Sequence, residues 1–144
     1  YELREQIPID KSITFVAAVG AGGPVGICSC LSMLRKTKCI LAQTTEFNAF
    51  VRSVQSGTIQ SNKRNQVTNV SNGIAVDQPE EFALKIACKM ENLQVVSVDT
   101  CDVQSLMNKQ TNKLGGSSCI ALTAVQNLSI ETDIIIVLDC EGNF

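Results

Sequence analysis

Histidine is absent from this 144-residue chain, and so is tryptophan. Without histidine the commonest general base is gone, and with it the usual Ser–His and Cys–His pairs, so any chemistry here must be carried by a cofactor. A zinc site would need four thiolates drawn from scattered positions. Aromatic residues make up only 4% of the chain, which leaves the core to Val, Ile, Leu and Ala. There is no long basic run and the net charge is −2, which argues against nucleic acid or an anionic membrane as the main partner. Lys63-Arg64 is the one basic pair in its loop and reads as a solvated tip. No apolar stretch approaches the length of a membrane span, and the opening Tyr1-Glu2-Leu3-Arg4-Glu5-Gln6 reads as the tail of a helix rather than a signal peptide. Internal repeats and linkers are missing too, so one domain over 1–144 is expected.

What is present suits a folded core: 44% hydrophobic residues against 18% charged. Seven cysteines stand at 28, 30, 39, 88, 101, 119 and 140, an odd number with no C-x-x-C, several among apolar residues. They read as reduced, mostly buried small hydrophobes of an intracellular protein.

Hydrophobic patterning predicts an α/β chain. Ile13–Val19 reads as a buried strand, Val25–Lys36 as a helix with Ile27, Leu31 and Leu34 on one face, and Cys39–Ala42 as a second strand, a unit of a parallel sheet. Glu46–Gln55 reads as a helix and 56–69 as a loop. Pro79 is expected in the first turn of a helix whose stripe is Phe82, Ile86 and Met90. Leu93–Val98 reads as a strand, with Asp99 or Thr100 capping a helix over 101–111. A glycine/serine turn, Leu114–Ser118, leads into helical Cys119–Val125, and Ile134–Leu138 is the last strand. The order of the strands is not legible. Three strand ends, near 20–26, 99–101 and 139–143, lie where parallel sheets gather ligand sites.

The turn from Gly20 to Gly26 combines an abrupt strand end, bare backbone amides and a helix start, the arrangement that holds phosphate. As a dinucleotide fingerprint it fails: Val25 stands where the third glycine belongs. Gln43 and Thr44 stand where an acidic residue would hold a ribose.

Four segments in order match something else. They are Val19-Gly20-Ala21-Gly22-Gly23, then Ser71-Asn72-Gly73-Ile74-Ala75-Val76-Asp77-Gln78-Pro79, then Gly115-Gly116-Ser117-Ser118-Cys119-Ile120-Ala121, then Ile134 through Leu138 with Asp139-Cys140-Glu141-Gly142-Asn143. The series resembles the threonine/serine dehydratases, which with the serine racemases are fold-type II pyridoxal-phosphate enzymes, in their C-terminal, larger-domain portion. The resemblance implies a three-layer α/β sandwich with a mostly parallel sheet. It implies that Gly20, Ala21, Gly22 and Gly23 wrap the phosphate of pyridoxal phosphate with main-chain amides, where a Cβ would crowd the ligand or forbid the backbone angles. It implies that Cys140 meets the pyridine nitrogen. Tyr1–Pro8 would be the helix leading into the first strand. The activity implied is elimination of ammonia from a hydroxy amino acid to give a 2-oxo acid.

Departures from that pattern are concentrated at the site. Ala21 replaces a loop glycine, Pro24 removes an N–H, Gly115 stands where an acidic residue is expected, and Glu141 replaces a glycine. The lysine that would bind the cofactor covalently belongs to a Ser-x-Lys-x-Arg motif in the family's N-terminal portion. Ser61-Asn62-Lys63-Arg64 is its faint echo in the wrong segment. Two readings stay open. The chain is one piece of a dehydratase, inactive alone and completed by an N-terminal half or partner subunit in an oligomer. Or it is a degenerate, non-catalytic scaffold or interaction subunit, for which both loss of the cofactor and residual binding of a phosphate ligand stay open.

Overall fold

The structure, a computed structural model, describes residues 5–33, 37–63, 69–110 and 114–139. Strand β1 (Ile13–Ala18) runs into helix α1 (Gly23–Leu31), then β2 (Thr37–Thr44) and α2 (Ala49–Ser56). A short 3-10 turn (Asn72–Ile74) and α3 (Glu81–Ala87) lead to β3 (Leu93–Val98), α4 (Thr100–Lys109), α5 (Gly116–Asn127) and β4 (Ile134–Val137). The four strands form one sheet in the order β3-β2-β1-β4. Every pairing is parallel, with Ile13 opposite Thr37 and Ile134, and Cys39 opposite Leu93.

Strand alternation divides the core in two. Phe15, Ala17, Cys39 and Leu41 meet Val25, Cys28 and Leu31 of α1, Phe50 of α2, and Ala83 and Ala87 of α3. Val16, Ile40, Ala42 and Val98 meet Val103 of α4 and Ile120, Ala121 and Ala124 of α5. A sheet covered on both faces is the three-layer α/β sandwich expected, and its strands are accordingly apolar on both sides.

Several boundaries differ from the sequence reading. Helix α2 starts at Ala49, not Glu46. Glu46 instead accepts hydrogen bonds from Thr45 and from Thr100 at the start of α4, pinning the β2–α2 loop across the sheet edge. Phe47 is fully buried in that loop. Helix α3 buries Ala83, Leu84 and Ala87, while Phe82, expected on its apolar stripe, is 75% exposed. The rest of the expected stripe is met in part, since Ile86 and Met90 are partly buried and pack against the core, and Pro79 precedes the helix, whose N-cap is Glu80. Asp99 caps α4 as expected, accepting from the Cys101 amide at 2.7 Å. Of the Tyr1–Pro8 helix, Glu5 and Gln6 are helical and residues 1–4 lie outside the described residues. Leu34, Arg35 and Lys36 of the expected first helix also lie outside them.

Cysteine burial is split. Cys28, Cys39 and Cys119 are buried, whereas Cys30, Cys88 and Cys101 are exposed. A hydrogen bond to Cys39 and burial in the core push the Cys28 thiol up, and burial followed by the nearby Asp139 charge pushes Cys119 up.

Candidate functional site

The strand order creates the site. Helix α1 leaves β1 toward β2 on one face, while α4 and α5 return to β4 on the other, so the connections diverge between β1 and β4. At such a switch point the helices splay apart above the strand C-termini and leave a crevice. A cavity of about 180 Å³ occupies that place. Its floor is Ala18 at the end of β1 and Leu138 just past β4. Its walls are Gly20, Ala21 and Pro24 from the loop into α1, Gly73 and Ile74 from the 3-10 turn, and Ser117 from the first turn of α5.

Three of the four segments singled out in the sequence meet here through two glycines. A Cβ on Gly20 would stand 2.9 Å from the backbone Cα of Ile74, and one on Gly116 would stand 2.3 Å from the Val70 carbonyl oxygen. The 70–74 segment is thus held backbone-to-backbone between the glycine loop and α5. At position 20 the close approach of the chain to itself is already a reason for glycine. The backbone-angle argument fails, since Gly57, at the C-terminus of α2, is the one described glycine with positive φ. A Cβ on Gly22 would make only ordinary contacts, with Ala83 and the Glu80 carboxylate, and one on Gly23 would meet nothing within 4 Å. Gly23 is the loop glycine whose bareness no packing in the described residues explains.

Two helix N-termini bracket the cavity. Neither α1 nor α5 has a side-chain cap or an acidic residue in its first turn, so their leading amides are left without intrahelical or capping partners. Both ends carry partial positive charge. Ser117, on the wall, has a buried hydroxyl oxygen that finds no hydrogen-bond partner among the described residues, a property it shares with Thr14, Thr37 and Thr44, none of which lines this cavity. Sequence reasoning misses this residue, because there it is only one of two serines in a glycine-rich turn. Its neighbour Ser118 instead donates to Asp139 beyond β4, tying that strand's end to α5.

Gln43, read in the sequence only as a missing acid, proves to be a clamp. It is buried, donates to the Val19 carbonyl at 2.8 Å, and accepts from the amides of Phe50 at 2.9 Å and Val51 at 3.2 Å. It thereby fixes where β1 hands over to the glycine loop. The signal was available: an amide side chain inside an otherwise apolar strand must find partners. Cys140, Glu141 and Asn143 lie outside the described residues, though Leu138 brings the chain to the cavity two residues before Cys140. Lys63 is exposed in its loop and does not line the cavity.

A larger hollow, about 330 Å³, lies at the opposite, N-terminal edge of the sheet among Thr14, Lys38 and Leu128. No helix N-terminus faces it, and ligands of open α/β sheets gather at the other end. Among the described residues no group of three or more His, Cys, Asp or Glu could hold a metal ion, and no helix is long and apolar enough to cross a membrane.

The four-stranded parallel α/β fold is shared with solved fold-type II pyridoxal-phosphate enzymes, which bears out at the level of fold the resemblance read from the four segments. Among solved structures, a threonine deaminase from T.th. matches with TM-score 0.77 and 17% identity, over 98% of this chain and 51% of that one. Serine racemase from maize matches with TM-score 0.77 and 17% identity, over 99% and 47%. A pyridoxal 5′-phosphate-dependent aspartate racemase matches with TM-score 0.72 and 19% identity, again over 99% and 47%. The chain spans about half the length of these structures. No protein-family model matches the sequence, and no curated protein sequence does.

Proposed function

We propose that the cavity between β1 and β4 receives the phosphate of pyridoxal phosphate, and that the chain is the phosphate-holding part of a lyase acting on threonine or serine. The observation that carries this reading is the convergence of two uncapped helix N-termini on one cavity beside an unpartnered Ser117 hydroxyl. The loop residues Gly20 and Ala21 on the cavity wall, the uncapped start of α1 that follows them and the Ser117 hydroxyl suit a phosphate monoester. When bound, pyridoxal phosphate supplies an electron sink for bonds at the α-carbon of an amino acid. This chain's residues hold and orient: the loop fixes the phosphate end, Gln43 fixes the loop, and Cys140, by the resemblance, meets the ring nitrogen. No described lysine lines the cavity. The chain alone is therefore proposed to be inactive, forming one α/β unit of an oligomeric intracellular enzyme completed by further polypeptide.

One observation favours the degenerate, scaffolding reading. The Ala21 methyl group belongs to the cavity wall, Pro24 removes a donor, and the Glu80 carboxylate stands beside Gly22. Equilibrium dialysis against pyridoxine 5′-phosphate and unphosphorylated pyridoxine separates the two. Pyridoxine 5′-phosphate cannot react with stray lysines. Retention of the phosphate ester alone, reduced at least tenfold by Ser117→Ala, supports the cofactor reading. Equal or absent retention of both supports the scaffold.

A further inference from the structure

The larger hollow at the N-terminal edge of the sheet, about 330 Å³, has the size at which ligand pockets begin, about 300 Å³. Thr14 lies on its floor. By strand alternation Thr14 shares a face of β1 with Val16, which packs beneath α5, so its side chain points to the side where Leu128 closes the hollow. The Thr14 hydroxyl is fully buried and finds no hydrogen-bond partner among the described residues. A valine of the same shape would avoid the cost of burying an unpaired hydroxyl, so the hydroxyl points to a partner that enters the hollow.

Charges of both signs surround this floor. Lys38 on β2, Glu91 in the turn before β3 and Glu131 in the segment after α5 all line the hollow and are exposed. None of the three forms an ion pair with a described residue. Helix α5 ends at Leu128 with no basic residue in its last turn, which leaves the partial negative charge of its C-terminus beside the hollow. Two carboxylates and a helix C-terminus disfavour a lone anion, and the Lys38 ammonium disfavours a lone cation. Ile40 and Leu128 supply apolar lining.

We infer that this hollow binds a small aliphatic zwitterion. Its ammonium lies beside Glu131 and the end of α5, its carboxylate beside Lys38, and its hydrocarbon frame over Ile40 and Leu128, with the Thr14 hydroxyl as the polar contact on the floor. The inference goes beyond the pyridoxal-phosphate reading and does not depend on it, because the two cavities lie at opposite edges of the sheet and share no lining residue.

Amide shifts of the isotopically labelled chain, titrated with 5-aminopentanoate and separately with pentanoate and pentylamine, test it. Saturable shifts should centre on Thr14, Lys38 and residues 128–131, with the two singly charged controls about tenfold weaker or worse. Thr14→Val should weaken 5-aminopentanoate about tenfold while leaving the urea midpoint unchanged or higher, since it removes an unpaired buried hydroxyl. Lys38→Met, at an exposed position, should weaken 5-aminopentanoate to a similar degree without weakening pentylamine. Pentanoate bound as tightly as the zwitterion, shifts centred on Gly22 and Gly23 instead, undiminished binding by T14V, or no saturable shift would each overturn the inference. Pyridoxine 5′-phosphate retention by T14V should equal that of the parent chain, so failure of this site and failure of the cofactor reading stay distinct.

Discussion

At the scale of the residue, three glycines that look alike in sequence have different work. Gly20 and Gly116 keep two backbones in contact, and a methyl group at either must displace main chain at Ile74 or Val70. Gly20→Ala should cost about 1–3 kcal/mol and Gly116→Ala at least the upper end of that range, read from urea denaturation. Gly23→Ala meets nothing and should change stability by less than about 0.5 kcal/mol. Its effect should appear in phosphate-ester retention instead, and a stability loss equal to that of G20A would show its openness to be illusory. Gln43 supplies a second test. Gln43→Leu strands the Val19 carbonyl and the Phe50 and Val51 amides in the core, for a cost of about 3 kcal/mol by the same measurement. The sequence makes the glycine turn conspicuous but cannot apportion these roles, because what a missing Cβ avoids depends on a segment some fifty positions away.

At the scale of the element, β1, β3 and β4 fall within a residue of expectation, whereas β2 runs two residues further at each end than the expected Cys39–Ala42 because its polar ends Thr37, Gln43 and Thr44 are buried with it. Helix α3 shows where periodicity fails. Of the large side chains in the pattern, Ile86 and Met90 pack partly buried against the core but Phe82 does not, and the small Ala83 and Ala87 let this short helix sit close against α1. Phe82→Ser should therefore alter stability by less than about 0.5 kcal/mol, whereas Leu84→Ala, at a buried position, should lose about 2–5 kcal/mol. Thermal melts of the two variants check this, and a larger loss for F82S would restore the stripe expected from sequence. Strand order is out of reach for a different reason. Side-chain composition along a strand reports its burial and not its neighbour, so the pairing partners of the four strands are not specified by pattern alone.

At the scale of the whole molecule, the order β3-β2-β1-β4 matters most, because it sets the switch point over which two helix ends converge. The same packing buries thiols, with a consequence for pH. Folding raises the Cys28 and Cys119 thiols but lowers Cys39, the hydrogen-bonded partner of Cys28, so the folded state's excess of bound protons rests on buried Cys119 and on what Cys28 keeps after that offset. Their stabilisation is complete below the unfolded thiol value of about 8.5 and is lost as pH rises above it. Urea midpoints should thus fall steadily from pH 8 to pH 10, and an unchanged midpoint would mean the thiols are hydrated. The cavity itself is tested most directly by amide chemical shifts of the isotopically labelled chain titrated with pyridoxine 5′-phosphate. The account predicts saturable shifts concentrated at Gly22, Gly23 and the first turn of α5 around Ser117, absent with pyridoxine and abolished in S117A. Shifts scattered over the lysine-bearing surface, or none at these amides, would contradict it.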